Sequence, residues 1–132
     1  MSNTSPEAYE TLIHDMQRIE SLSARELDGI PFGTIRLDRD GNVLSFNLAE
    51  AKLTGRDPKA VIGKNFFREI APCTNVAEFY GRFKQGVAER KLHAVFPYRF
   101  DYKMNPRDVS VTLFYSDKTD SIWVFVRERA AR

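Results

Sequence analysis

Few residues of this chain are equipped to do chemistry: one cysteine, two histidines and the carboxylates. The thiol, Cys73, stands in "APCTNVAEF", between Pro72 and Thr74 and two residues ahead of Asn75, where Asn75-x-x-Glu78 reads as a helix start. A helix N-terminus favours negative charge and can draw a thiol toward its thiolate. Pro72 fixes the chain on the near side. Such a thiol suits covalent bond formation, but a lone cysteine also packs well as a small apolar side chain. An enzyme nucleophile needs a base, and the sequence sets neither His14 nor His93 beside it.

Other constellations fail on spacing. "DRDGN" begins like a calcium loop, but its glycine comes early and no Glu holds the twelfth position, so it reads as a hairpin turn. Gly55 and Gly63-Lys64 enclose seven residues where a phosphate loop has four, and Asn65 follows where Ser or Thr belongs. His14 and His93 have no cysteine partner, which excludes the usual metal-ligand spacings. No Ser-His-Asp set stands at a recognisable spacing, and the terminal "RERAAR" reads as a solvated tail. Lys+Arg at 20 against Asp+Glu at 18 gives a formal +2, which calls for no nucleic-acid partner. One cysteine closes no internal disulfide, no stretch resembles a signal peptide, and no run nears the ~20 apolar residues of a membrane span. The expectation is a soluble, cytoplasmic protein.

The elements that must position these residues fall in order along the chain. With 132 residues, 42% of them hydrophobic, one core is expected. Residues 1–28 read as an N-terminal helical cap: Ser5-Pro6 starts one helix, with Tyr9, Leu12, Ile13, Met16 and Ile19 at helical spacing, and Ser23-x-x-Glu26 is a capping box stopped by Asp28-Gly29. Residues 29–129 read as the core. "IPFGTIRL" and "VLSFN" flank the turn as a hairpin, "LAEAKLTG" is a helix ending at Gly55, and "DPKAVIG" is a short helix capped by Asp57. Val76, Phe79, Tyr80, Phe83 and Val87 repeat at helical spacing after Asn75. In "HAVFPYRFDYKM" Phe96, Tyr98, Phe100, Tyr102 and Met104 alternate with the intervening residues, giving a strand with an aromatic inner face. "DVSVTLFY" alternates likewise, and "SIWVFVRE" is a buried strand. The fold class is α+β: a central antiparallel sheet flanked by short helices, with helices on one side.

Taken together, "LDRDGNVLSFNLAEAKLTGRDPKAVIGKNFF", "APCTNVAEFYGRFKQGVAERKL", "YRFDYKMNP" and "WVFVRE" resemble the photoactive yellow proteins, blue-light receptors of the PAS superfamily. The likeness runs from about Leu27 to Val126, and "APCT" is its most specific part. It implies a PAS fold and a 4-hydroxycinnamoyl (p-coumaroyl) group held on Cys73 as a thioester. It further implies that Glu50 and Thr54 hydrogen-bond the phenolate, and that Arg56 covers the pocket. Phe46, Phe66, Phe67, Tyr98, Phe100, Tyr102 and Met104 would line that pocket. Light would isomerise the double bond from trans to cis, Glu50 would pass its proton to the phenolate, and the N-terminal cap would loosen as the signal. A downstream signalling protein would receive it; the protein would be no enzyme, bind no nucleic acid or membrane, and be a monomer or weak homodimer.

The physical logic holds on these residues. A phenol with an ordinary pKa of about 10 stays ionised in a buried site only beside strong donors. A buried, protonated Glu50 would be such a donor. One position departs from the family: Phe46 stands where a Tyr usually donates a second hydrogen bond. Losing that bond to a charged oxygen disfavours the phenolate by roughly 1.5–3 kcal/mol, which Thr54 or a water would offset in part. The alternative reading is a PAS interaction or sensor module without a chromophore. A cysteine-dependent acyl-transfer enzyme is weaker, for want of a base.

Overall fold

Alternation of apolar residues builds the sheet of this computed structural model, which describes residues 17–100 and 107–128. The strands are β1 (Gly33–Leu37), β2 (Val43–Phe46), β3 (His93–Phe100), β4 (Arg107–Ser116) and β5 (Ser121–Glu128). They form one sheet in the order β2-β1-β5-β4-β3, every pair antiparallel. β4 buries Val109, Val111, Leu113 and Tyr115. β3 buries Phe96 and Phe100 and half-buries Tyr98 between them, as its period of two requires.

β5 is buried from Ser121 to Val126, on both faces. Ile122, Val124 and Val126 join the main core, while Trp123 and Phe125 join a second cluster with Ile19 and Leu27. The expectation of helices on one side is corrected by that cluster: Leu22, Ile30 and Phe32 pack there too, so residues 19–32 help cover the opposite face. A central strand apolar on both faces needs cover on both.

The β1–β2 turn forms as expected. The Asp38 carboxylate accepts from the backbone N–H of Asp40 (2.9 Å) and Asn42 (2.8 Å), and Gly41 takes φ +91°, a region open to glycine. The helices on both faces are short. α1 (Ala24–Leu27) opens with the full Ser23/Glu26 capping box and closes at Asp28. α2 (Leu48–Thr54) is capped by Asn47 and ends at Gly55 with φ +74°. α3 (Pro58–Val61) is capped by Asp57.

The segment after the cysteine departs from the single helix expected from Asn75, and the residues before it form turns of their own. Phe66–Ile70 is a wide π-type turn capped by Asn65, Pro72–Thr74 is a separate 3₁₀ turn, and Ala77–Gly81 is a second π-type turn leading into α4 (Arg82–Glu89). Asn75 does not start the helix but closes the 3₁₀ turn, its N–H donating to the Pro72 carbonyl (3.0 Å); Val76 precedes the helical run in extended conformation and makes no side-chain cap. Cys73 therefore sits inside its own turn, not at a long helix's N-terminus. Phe79 and Phe83 are buried as the spacing predicts, but Val76 is exposed.

Of the expected helix from Ser5-Pro6 only the end is described, where residues 17–19 are helical and Ile19 is buried; its remainder lies outside the described residues, as do Tyr102 and Met104. Among the described residues no helix is long and apolar enough to cross a membrane, and no His/Cys/Asp/Glu cluster could hold a metal.

Candidate functional site

Asn47, 2% exposed, fixes the start of α2 with four hydrogen bonds. Its Oδ1 accepts from Thr34 N–H (2.9 Å) and Glu50 N–H (3.1 Å). Its Nδ2 donates to the carbonyls of Leu27 (3.0 Å) and Phe32 (3.1 Å). One side chain thus ties β1, the N-terminal segment and α2 together, and asparagine suits this because it both donates and accepts.

Anchored there, α2 turns Glu50 inward. Glu50 is 1% exposed and its Oε1 has no hydrogen-bond partner. Burial pushes its carboxyl up to about 8, so the acid holds its proton at neutral pH. The carboxyl lies against Gly33 of β1, where a Cβ would collide with Oε1. One turn on, the Thr54 hydroxyl donates to the Glu50 carbonyl (2.9 Å). Phe46, at the end of β2, is 6% exposed.

Arg56 is exposed, yet its guanidinium donates to the Ile70 carbonyl (3.0 Å), bridging the end of α2 to the turn before the cysteine. Cys73 is half-buried against the main core. Its carbonyl accepts from the Tyr98 hydroxyl at 2.5 Å. Burial is the main reason the Tyr98 phenol is pushed up to about 12, which keeps it a donor. The next residue, Thr74, is buried and donates to Ala71 O at 2.6 Å. The turn is therefore held from both sides.

The expected aromatic residues gather around one ring that sequence reading assigned only to a helix core. Phe79 meets Phe66 (6.0 Å), Tyr98 (5.2 Å) and Phe100 (6.0 Å) between centroids. Phe67 also touches Phe79 but faces α4, stacking on Tyr80 at 4.3 Å and meeting Phe83 at 4.8 Å. Asn47, Gly33 and Phe79 were missed as site residues. Two left signals: an asparagine just before a helix, and a glycine inside a strand pattern.

The fold has known counterparts. The PAS fold pattern matches residues 22–129. A photoactive yellow protein of Halochromatium salexigens is 50% identical over 109 residues, 83% of this chain and 87% of that protein. The chain belongs to the photoactive yellow protein family. A second photoactive yellow protein, from Rhodothalassium salexigens, is 51% identical over 102 residues, 77% of this chain and 82% of that one. Among solved structures, the photoactive yellow protein domain of the sensor histidine kinase Ppr from Rhodospirillum centenum is similar with a TM-score of 0.81. It is 40% identical, with 85% of this chain and 98% of that one covered.

Proposed function

We propose that this chain is a blue-light photoreceptor in which Cys73 carries a 4-hydroxycinnamoyl group as a thioester and Glu50 is the proton donor to its phenolic oxygen. The observation that carries the reading is the buried, protonated Glu50 with an unpartnered Oε1. Buried polar atoms are nearly always paired, so an orphaned acid oxygen suits a ligand atom that accepts from it. The residues present fit such a group: an acid donor, a half-buried thiol, and the rings of Phe66, Tyr98 and Phe100 for an aromatic body. When bound, the group supplies visible absorption, a double bond that light isomerises, and a phenolic oxygen able to exchange a proton.

The chain's own residues do the rest. Cys73 would hold the acyl group through Sγ, on a turn held by Tyr98 and Thr74. Glu50 keeps its proton while buried and releases it from its carboxyl to a stronger acceptor. The carboxylate left behind is unpaired in an apolar site, which is unfavourable by several kcal/mol. Relief comes by moving α2, and α2 is tied to the N-terminal segment through Asn47–Leu27 and through Asp28, whose carboxylate accepts from Leu48 N–H at 3.0 Å. Loosening of that segment is the proposed signal to a downstream protein. Arg56 shields the pocket, and Thr54, free to turn from its own helix, stands in for the donor that Phe46 lacks. With that donor absent, the phenolate is disfavoured and its absorption lies at longer wavelength than in a Tyr-bearing relative.

The rival is a PAS sensor without a chromophore, and Phe46 is the one observation that favours it. Purified apoprotein mixed with activated p-coumaric acid decides between them, with Cys73→Ala as control. A visible band that needs Cys73, bleaches in blue light and returns in the dark supports the photoreceptor. A folded protein that forms no stable adduct refutes it.

A further inference from the structure

Gly33 is a puzzle of composition. It opens β1, paired with Val126 of the neighbouring strand, where a residue with a side chain to pack would be the commoner choice. Its backbone does not require glycine, for it is absent from the positive-φ positions Gly41, Gly55 and Gly63. It follows the bend at Pro31 and Phe32 but is itself ladder-paired, as the first residue of β1. What it lacks is space. A Cβ at this position would overlap Glu50 Oε1, lie 3.1 Å from Glu50 Cδ and 3.3 Å from Val126 Cβ. The valine contact yields by a few tenths of an ångström; the carboxyl overlap is relieved only if the carboxyl, the end of a flexible side chain, leaves its place.

We propose that Gly33 is the positioning residue of the Glu50 carboxyl: its missing side chain is the slot that seats this group against the sheet. Two neighbouring residues of one strand then set both ends of the acid's placement. Thr34 N–H holds Asn47, the cap that starts Glu50's helix, and Gly33 receives the side chain that the helix delivers. α2 has little freedom to retreat from an added methyl group, because Asn47 and Asp28 pin its first turn. The carboxyl itself must swing out of the slot, toward less complete burial. Since burial is the cause of its raised pKa, a displaced carboxyl ionises more readily. The glycine thereby governs how firmly the acid keeps its proton. This inference rests on the photoreceptor reading only for its consequence in light, not for the placement itself.

The test is a double-mutant cycle on the apoprotein with Gly33→Ala, Glu50→Ala and both together. Gly33→Ala should lower the melting temperature by several degrees while Glu50 is present, and leave it unchanged or higher in the Glu50→Ala background, where the collision is gone. Equal losses in both backgrounds, or failure to fold in both, would overturn the proposal. Carbon-13 labelling of glutamate gives the second readout, which a merely structural glycine would not move. The Glu50 carboxyl midpoint should fall by about one pH unit or more in Gly33→Ala; an unchanged midpoint overturns the positioning role. Loading with activated p-coumaric acid separates the two readings. If the cycle couples and no adduct forms, Gly33 keeps its role and the photoreceptor reading fails. If an adduct forms and the cycle is additive, the reverse holds.

Discussion

Glu50→Gln is the sharpest perturbation the structure offers, because the amide has the shape of the protonated acid and cannot ionise. In the unfolded chain this carboxyl titrates near 4.5, and in the native protein burial holds it to about 8. Between those values the unfolded state loses a proton that the native state retains. A raised native pKa therefore contributes stability that is complete below pH 4.5 and is lost as pH rises through 8. Each pH unit in that window is worth about 1.4 kcal/mol, so the accumulated loss by pH 8 approaches roughly 5 kcal/mol. That figure is a ceiling, since water entering around the carboxylate relieves part of it. It is large beside the roughly 5–15 kcal/mol that holds a domain together. Every other titrating group is common to both proteins, so their stability difference isolates Glu50. Urea unfolding of apoprotein and variant, followed by the emission of the single, buried Trp123, gives that difference from pH 4.5 to 8.5. The variant should gain on the parent steadily as pH rises, by at least ~2 kcal/mol across the window. Any fixed penalty from the buried amide shifts the whole curve without changing its slope. A difference that stays flat would show that Glu50 titrates as an ordinary exposed carboxyl, and the proton-donor argument would fail with it.

Two further outcomes follow. In chromophore-loaded protein, Phe46→Tyr should move the visible band to shorter wavelength and lower the phenol's titration midpoint, because a donor to the charged oxygen is restored; an absorption scan across pH reads both, and no shift or a red shift counts against the reading. Asn47→Ala should lower unfolding stability by about 2–4 kcal/mol, since it strips partners from Thr34 N–H, Glu50 N–H and two carbonyls at once. Chemical denaturation measures it, and a loss under ~1 kcal/mol would mean that water replaces those bonds.

Much of the architecture was legible because it is local. The Ser23 capping box, the Asp38–Gly41 turn, the Gly55 stop and the alternation along β3 and β4 each depend on residues a few positions apart. The helix expected from Asn75 was misread at its start, because the apolar spacing does not reveal the path of the backbone that leads into it. The spacing of Val76, Phe79 and Phe83 suits an unbroken helix from Asn75, but Val76 is extended and a π-type turn, Ala77–Gly81, comes before α4. The coverage of the sheet's far face was also hidden, since nothing in "SIWVFVRE" says what would lie over Trp123 and Phe125.

By itself the sequence determined a sheet with aromatic and aliphatic inner positions, a set of capped short helices, and a lone thiol behind a proline. Those follow from periodicity and from side chains acting on their own backbone. Only the tertiary structure decided that Glu50 is buried and neutral. An acid on a seven-residue helix is ordinarily exposed. Its protonation depends on β1 and β5 closing around it, on Asn47 turning the helix inward, and on Gly33 having no side chain to refuse it. Desolvation is a property of everything that surrounds a group, and the residues that surround this one come from positions scattered along the chain.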